Sequence, residues 1–208
     1  MQHLPELIGI ATTIAVGAAS PGPSFVMVAK TAVGAGRDNG LLAALGMALG
    51  GLGFAVLSLL GLHGLLAAVP SLYLTLKIAG GLYLAYLGYK IFRGADQPLV
   101  AEMGDAVAGR LSGRHFLAGL ATQLSNPKTA IVYASVFAAF LPADASLEFK
   151  ALVALIVFAI EGGWYALVAA LFSAQAPRRW YLRAKRWVDR VAGGVMIAFG
   201  LKLAVPQS

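Results

Sequence analysis

Two short proline-containing stretches interrupt long apolar segments of this chain. They are Ser20-Pro21-Gly22-Pro23-Ser24 and Ser125-Asn126-Pro127-Lys128. Proline removes a backbone donor and clashes with the preceding helical turn, so each stretch predicts a break in a helix. In lipid, such a break is tolerated only where the freed backbone groups face protein or a water-filled cavity. Broken spans in both halves of a chain indicate the binding site of a transporter.

Composition places most of the chain in a membrane. Hydrophobic residues make up 59% of it, charged residues only 12%, and the mean hydropathy is +0.78. One soluble core of this length could not bury that much apolar sequence. The net charge of +7 could suggest nucleic acid, but no basic patch is interleaved with exposed aromatics, so we expect no nucleic-acid partner.

We expect an all-α integral membrane protein with six transmembrane helices, the first and the fourth broken. The predicted spans are 4 to about 33, 41–66, 72–92, 116–141, 149 to about 174, and 187–205. Each has about the 20 apolar residues that a bilayer core requires. The first is too long and uniform for a signal peptide, so we expect it to stay in the membrane.

The two halves of the chain resemble each other. Residues 80–90 are similar to residues 193–202, and the two proline breaks correspond. Three spans followed by three related spans have opposite orientations, which is the 3+3 inverted-repeat plan of many secondary transporters. We therefore predict one three-helix repeat over 1–92, a cytoplasmic linker loop over 93–114 and a second repeat over 115–208. Chance similarity of glycine-rich apolar sequence remains an alternative.

Basic residues predict the orientation. One side of the membrane receives Lys30, Arg37, Lys90, Arg93, Arg110, Arg114, Arg178, Arg179, Arg183, Lys185, Arg186 and Arg190. By the positive-inside rule this side is cytoplasmic, so both termini are predicted outside. We expect a multi-pass protein of the bacterial cytoplasmic (inner) membrane. The glycine-lined second span suits tight helix contact, within the chain or in a homodimer.

The helix breaks predict where a substrate binds. Pro23 and Pro127 suit the first position of a helix, and Asn126 suits the cap before it. A helix that begins inside the membrane has unpaired N–H groups and a partial positive charge, which favour a carboxylate. Lys128 adds a full charge there, although a side chain that reaches the interface or pairs structurally is the alternative.

Glu161 is the only one of the nine acidic residues that lies in the middle of a predicted span; Asp189 and the others fall at span ends or in the segments outside. It could bind a substrate amine, Lys128 or a transported proton, and a purely structural ion pair stays open. Gln123 lies on the same helical face as Asn126 and could add a neutral hydrogen bond. The predicted substrate-binding residues are Pro21, Gly22, Pro23, Ser24, Gln123, Asn126, Pro127, Lys128 and Glu161, with Glu161 also coupling protons.

Four further residues are possible additions to this site, namely Lys77, Tyr83, Ser20 and Ser125. Lys77 is equally suited to reach the outer interface. His3, His63 and His115 lie near span ends or the terminus, so we expect no metal site and no cofactor. Hydrolase and metalloprotease motifs are missing from the sequence, so we expect no enzyme.

Several of these pieces together carry a resemblance. They are the Pro21-Gly22-Pro23 break, Leu76-Lys77 with Gly80, Tyr83-Leu84 and Gly88, Phe116 and Gly119 before Asn126-Pro127-Lys128, and Trp187-Val188-Asp189-Arg190 with Gly193. From the first span to the last, the chain resembles the LysE/RhtB amino-acid exporter family. The resemblance implies export of amino acids or close derivatives from a bacterial cytoplasm, driven by the proton gradient.

The chain departs from the family pattern at two positions. Many members carry an acidic residue where this sequence has Gly51, and some carry a polar residue or histidine near the position of Phe54. Both changes make the pocket more apolar and favour a neutral or hydrophobic amino acid over lysine. Two other readings stay open: an ion or metal exporter on the same scaffold, and a membrane accessory protein that transports nothing itself.

Overall fold

The computed structural model describes residues 3–68, 72–97 and 113–204, which form eight α-helices and no strand. The helices are α1 (Leu4–Ala19), α2 (Pro23–Ala35), α3 (Arg37–Ala68), α4 (Leu72–Gly94), α5 (Gly113–Leu124), α6 (Pro127–Phe140), α7 (Leu147–Phe172) and α8 (Gln175–Ala204). Of the predicted linker loop, residues 98–112 lie outside the described part.

Both predicted helix breaks are present. The axes of α1 and α2 differ by 54° across the first break. Pro23 occupies the first turn of α2, where its missing N–H costs no hydrogen bond. At the second break, Asn126 caps α6 as predicted, because its side chain accepts a hydrogen bond from the Lys128 amide at 3.0 Å.

Fewer helices have the length and composition of a membrane span than the sequence predicted. Residues Arg37–Gly61 of α3 and all of α7 qualify, and α1 with α2 gives a third if the bent pair is one span. The difference has a physical origin: α5 and α6 are each short, and α8 carries a run of basic residues in its first half. Within the described residues this gives two or three candidate spans, and the six-span repeat stays a prediction.

Two clusters of buried side chains form the core. In the first, Tyr133 and Phe137 of α6 pack with apolar side chains of α1, α3, α4, α7 and α8. In the second, the rings of Phe25, Phe172 and Tyr181 contact one another, with centroids 5.3 to 5.5 Å apart. They join the start of α2 to the corner between α7 and α8.

The predicted glycine face of α3 packs within the chain. A Cβ added to Gly46 would overlap the carbonyl of Phe116, and one on Gly50 would lie 2.7 Å from the Cβ of Gln123. Glycine therefore lets α3 and α5 approach backbone to backbone, which positions Gln123 against α3.

Glycine also sets the crossing of α4 and α8. A Cβ on Gly193 would lie 2.6 Å from the carbonyl oxygen of Gly88 and 2.8 Å from the amide nitrogen of Phe92. The neighbouring residue, Gly194, has nothing within 4 Å of the same position. The two adjacent glycines therefore provide a matched pair of sites for substitution.

We expect Gly193→Ala to destabilise the protein and Gly194→Ala to leave it unchanged or stabilise it. The first methyl group must push two helix backbones apart, at a cost of about 1–3 kcal/mol. The second gains about 1 kcal/mol of helix propensity without a clash. Thermal unfolding of the purified variants in detergent measures both effects. Equal transition temperatures for the two variants would contradict this account of the crossing.

Candidate functional site

The two helix breaks meet at a small cavity, which we call the central cavity. Its volume is about 20 Å³, enough for roughly one water molecule. Tyr133 of the first core cluster and Tyr165 of the second both line it, so it lies where the clusters meet. The polar and glycine residues around it are Gly17, Ser20, Gly22, Ser24, Asn126, Lys128, Thr129, Tyr133, Glu161 and Tyr165.

Four buried polar side chains form a continuous hydrogen-bond chain at this place. The side-chain nitrogen of Asn126, Nδ2, donates to Ser24 Oγ at 2.8 Å, and Ser24 Oγ donates to Gln123 Oε1 at 2.6 Å. Gln123 Nε2 then donates to Glu161 Oε2 at 3.1 Å. Residues of both breaks are thereby connected to the carboxyl group of α7. The structure thus brings together Ser24, Gln123, Asn126 and Glu161, which the sequence predicted as site residues.

Glu161 is held by neutral donors. The residue is 3% exposed. The hydroxyl of Tyr133 donates to Oε1 at 2.7 Å, and Gln123 donates to Oε2. No cation of the described chain lies within 4 Å of it, so the ion pair with Lys128 that the sequence left open is not formed here. A buried carboxylate is costly without a positive partner, so this position favours binding of a cation.

Lys128 binds the end of α1. Its ammonium group donates to the carbonyl oxygen of Gly17 at 3.2 Å and to that of Ser20 at 3.0 Å. Carbonyl groups in the last turn of a helix lack internal partners and carry partial negative charge, so they stabilise a cation. A Cβ added to Gly22 would lie 3.5 Å from both Cδ and Nζ of Lys128. Lys128 therefore connects the end of α1 with the starts of α2 and α6.

The two helix starts differ in their free donors. No side chain caps α2 at Gly22, whereas the Asn126 side chain already accepts the Lys128 amide at the start of α6. Both starts were predicted to attract a carboxylate. Because α6 has used one of its amides, the start of α2 is the better donor, and it lies against the Lys128 side chain.

The remaining predicted residues lie at varied distances from the cavity. Pro23 is exposed, and Ser125 is exposed and donates back to the carbonyl oxygen of Ala121 at 2.7 Å. The ring of Tyr83 lies 6.1 Å from that of Tyr86 on α4 and does not line the central cavity. Pro127 begins α6, and the side chain of Lys77 lies outside the described part of the chain.

Sequence reasoning missed the two tyrosines of the site. Tyr133 follows Asn126 by seven residues and Tyr165 follows Glu161 by four, so each shares a helical face with a predicted site residue. That spacing is the signal that could have found them. In the described residues, no group of three or more His, Cys, Asp or Glu side chains converges as a set of metal ligands.

A second, larger cavity adjoins the central one, and we call it the vestibule. Its volume is about 250 Å³. Ser20 and Lys128 line both cavities and so form the wall between them. The other residues of the vestibule are Pro21, Leu87, Lys90, Ile91, Gly94, Gln97, Lys185 and Asp189.

Asp189 lies inside the protein, although the sequence suggested a place near the surface. It is 4% exposed and pairs with Lys185, with Asp189 Oδ2 and Lys185 Nζ 2.8 Å apart. The reason is the length of α8, which begins at Gln175 and not near 187, so that Asp189 falls in mid-helix. The structure thereby reveals a buried charged pair beside the predicted site.

Comparison with known proteins indicates that the chain is a transport protein. The model of the LysE type translocator family matches residues 15–207 of the chain, which include both helix breaks, Glu161 and Asp189. The chain belongs to the LysE type translocator family. This confirms the resemblance seen in the sequence. The chain is therefore a membrane transport protein of that family and not an enzyme.

Individual relatives of this LysE type translocator cover nearly its whole length. A threonine efflux protein of Escherichia coli (strain K12) is 34% identical over 189 residues, which are 90% of this chain and 92% of the relative. A threonine efflux protein of Salmonella typhi is 36% identical with the same coverage. An uncharacterized membrane protein of Haemophilus influenzae is 31% identical over 90% of each chain. No solved structure matches.

Proposed function

We propose that this LysE type translocator exports amino acids or close derivatives from the bacterial cytoplasm, in exchange for protons. The observation that carries the proposal is the buried hydrogen-bond chain that connects both helix breaks to Glu161, beside the ammonium group of Lys128. Relatives named as threonine efflux proteins support the substrate class.

An α-amino acid has a group for each charged part of the site. Its carboxylate binds Lys128 and the uncapped start of α2, and its ammonium group binds Glu161. In the absence of substrate, Glu161 takes a proton in place of the amine. Substrate and proton therefore compete for one carboxylate, which is a sufficient basis for exchange.

The surroundings of Glu161 favour a neutral or hydrophobic amino acid. A Cβ added to Gly51 would lie 3.1 Å from Glu161 Cγ and 3.1 Å from the hydroxyl oxygen of Tyr133, so a side chain at this position would crowd both groups. The ring of Phe54 lies 6.5 Å from that of Tyr133. The site has one carboxylate and an aromatic wall. It can pair with the α-ammonium group of a substrate but offers no partner to a second ammonium group on the substrate's side chain.

Alternating access would move one three-helix repeat against the other around this site. The contacts of α4 and α8 support the repeat. Gly88 packs against Gly193, and Gly200 packs against Gly81. When residues 81–90 are aligned without a gap with residues 193–202, Gly81 corresponds to Gly193 and Gly88 to Gly200, so the alignment exchanges these two contacts, as a two-fold axis would require.

For orientation we propose that the basic side faces the cytoplasm of a bacterium with both termini outside, in a multi-pass protein of the inner membrane. Helices α4 and α8 carry basic residues on that side, and Arg186 and Arg190 there form ion pairs with Asp96. A homodimer is a separate hypothesis, since the glycine faces of α3, α4 and α8 are used within the chain.

Counterflow in proteoliposomes that contain only this protein tests the proposal. We expect exchange of labelled threonine, or of another neutral amino acid, at a rate that responds to an imposed pH gradient. Lysine should exchange poorly. Folded protein that exchanges no amino acid of the panel would contradict export and favour an accessory role. Exchange of lysine but not of leucine, threonine or homoserine would contradict the proposed neutral substrate.

A further inference from the structure

In the conformation seen here the vestibule is large enough for a small amino acid, whereas the central cavity holds about one water molecule and has to open before a substrate can enter it. A cavity of about 150 Å³ accommodates benzene, and the vestibule measures about 250 Å³ against about 20 Å³ for its neighbour. Lys90 and Gln97 are exposed at its rim, so the vestibule reaches the protein surface at the basic ends of α4 and α8. A solute from that side meets the vestibule before it meets Glu161.

Asp189 offers this cavity an unused acceptor. Its Oδ2 atom accepts from Lys185, but its Oδ1 atom is buried and has no hydrogen-bond partner among the described residues. An unsatisfied buried carboxylate oxygen is costly, and such atoms call for a ligand or a water molecule. A carboxylate forms its strongest hydrogen bonds with a cationic donor such as an ammonium group.

Cationic side chains line the same cavity. Lys128 and Lys90 both line it, and Lys185 is already paired with Asp189. Three lysines against one aspartate leave the vestibule with an excess of positive charge, which attracts a carboxylate. The cavity therefore presents a negative acceptor and positive donors to one solute, as a zwitterion requires.

We propose that the vestibule is a second binding site for the transported amino acid, where Asp189 receives its ammonium group and Lys128 receives its carboxylate. The proposal rests on the function proposed above. Because Lys128 lines both cavities, the carboxylate can stay on Lys128 while the ammonium group passes from Asp189 to Glu161. The substrate then enters the central cavity by a rotation about one fixed contact, without losing both of its charge partners at once.

Protection of a single cysteine tests this site directly, because the chain has no cysteine of its own. Ile91→Cys places a thiol in the vestibule wall, where a hydrophilic methanethiosulfonate reagent can modify it. At a threonine concentration ten times its dissociation constant, we expect modification to slow roughly tenfold. Arg183→Cys, on the exposed surface of α8, should react at the same rate with and without threonine.

Two further substitutions in the Ile91→Cys protein decide which carboxylate gives the protection. Asp189→Asn, which keeps an oxygen for Lys185, should abolish protection, whereas Glu161→Gln should retain it. Asp96→Asn, an exposed aspartate at the same end of the protein, is the control and should also retain it. Protection that survives Asp189→Asn, or that Glu161→Gln removes, would overturn the proposal, since threonine would then act from the central cavity.

The same preparations separate this proposal from the proposed function. If the Ile91→Cys protein exchanges threonine but threonine gives no protection, only the vestibule site is wrong. If the folded protein exchanges no amino acid at all, the proposed function itself fails. Both readings come from one set of proteoliposomes, in which labelling and counterflow are measured side by side.

Discussion

Replacing Lys128 by methionine should lower amino-acid counterflow by about 100-fold or more. The substitution keeps the apolar stem and removes only the ammonium group that would bind the substrate carboxylate. Loss of one well-placed charged donor costs about 3 kcal/mol, and each 1.4 kcal/mol is a factor of ten. Initial rates of threonine exchange in proteoliposomes, at equal amounts of inserted protein, measure the effect.

The structure also gives Lys128 a structural role, which the experiment has to separate. Its bonds to the carbonyl oxygens of Gly17 and Ser20 hold the end of α1, so Lys128→Met should lower thermal stability by about 1–3 kcal/mol. Lys202→Met, at an exposed lysine in the last turn of α8, is the control and should change neither property. Exchange within threefold of the unmodified protein, despite reduced stability, would show that Lys128 only holds the helix.

Glu161→Gln should remove the response of exchange to the pH gradient and lower the rate by about 100-fold. A glutamine cannot release a proton or neutralise an ammonium group. It also offers one acceptor oxygen where Glu161 offers two, so the Tyr133 hydroxyl and Gln123 Nε2 cannot both keep donating to this side chain. Gln123 cannot turn over without giving up the bond it accepts from Ser24, so we expect the new amide to keep its oxygen toward Gln123 and to donate to the Tyr133 hydroxyl.

Glu148→Gln is the matched control, because it makes the same chemical change in the first, exposed turn of the same helix. Its exchange rate and gradient response should equal those of the unmodified protein. Exchange in Glu161→Gln that still follows the pH gradient would mean that another group carries the proton. Normal exchange in both Glu161→Gln and Lys128→Met would place the substrate site elsewhere.

The helix breaks could be predicted from sequence because their cause is local. Proline disrupts the helix in which it stands, and the Asn126 cap acts two residues away, so neither depends on the rest of the fold. The partners of Lys128 could not be predicted in this way. They are carbonyl groups more than 100 positions earlier in the chain, and any backbone can supply a carbonyl.

Asp189 shows a second limit of sequence reasoning. Its neighbours Arg186 and Arg190 indicate an interface, and the helix does continue through that basic run. Which side of α8 faces α4 is decided by packing at Gly88 and Gly193, and that packing turns Asp189 inward. The buried pair with Lys185, and the vestibule beside it, therefore follow from tertiary contacts and not from the local pattern.

The aromatic cluster of Phe25, Phe172 and Tyr181 connects the start of α2 with the corner between α7 and α8. Phe25 follows Ser24 directly, and its ring contacts both others. If the corner between α7 and α8 swings, the start of α2 has to travel with it or part from both rings. Ser24 would then move away from Gln123 and the hydrogen bond between them would break. A movement at the basic surface would in this way weaken the hydrogen bonds that hold Glu161.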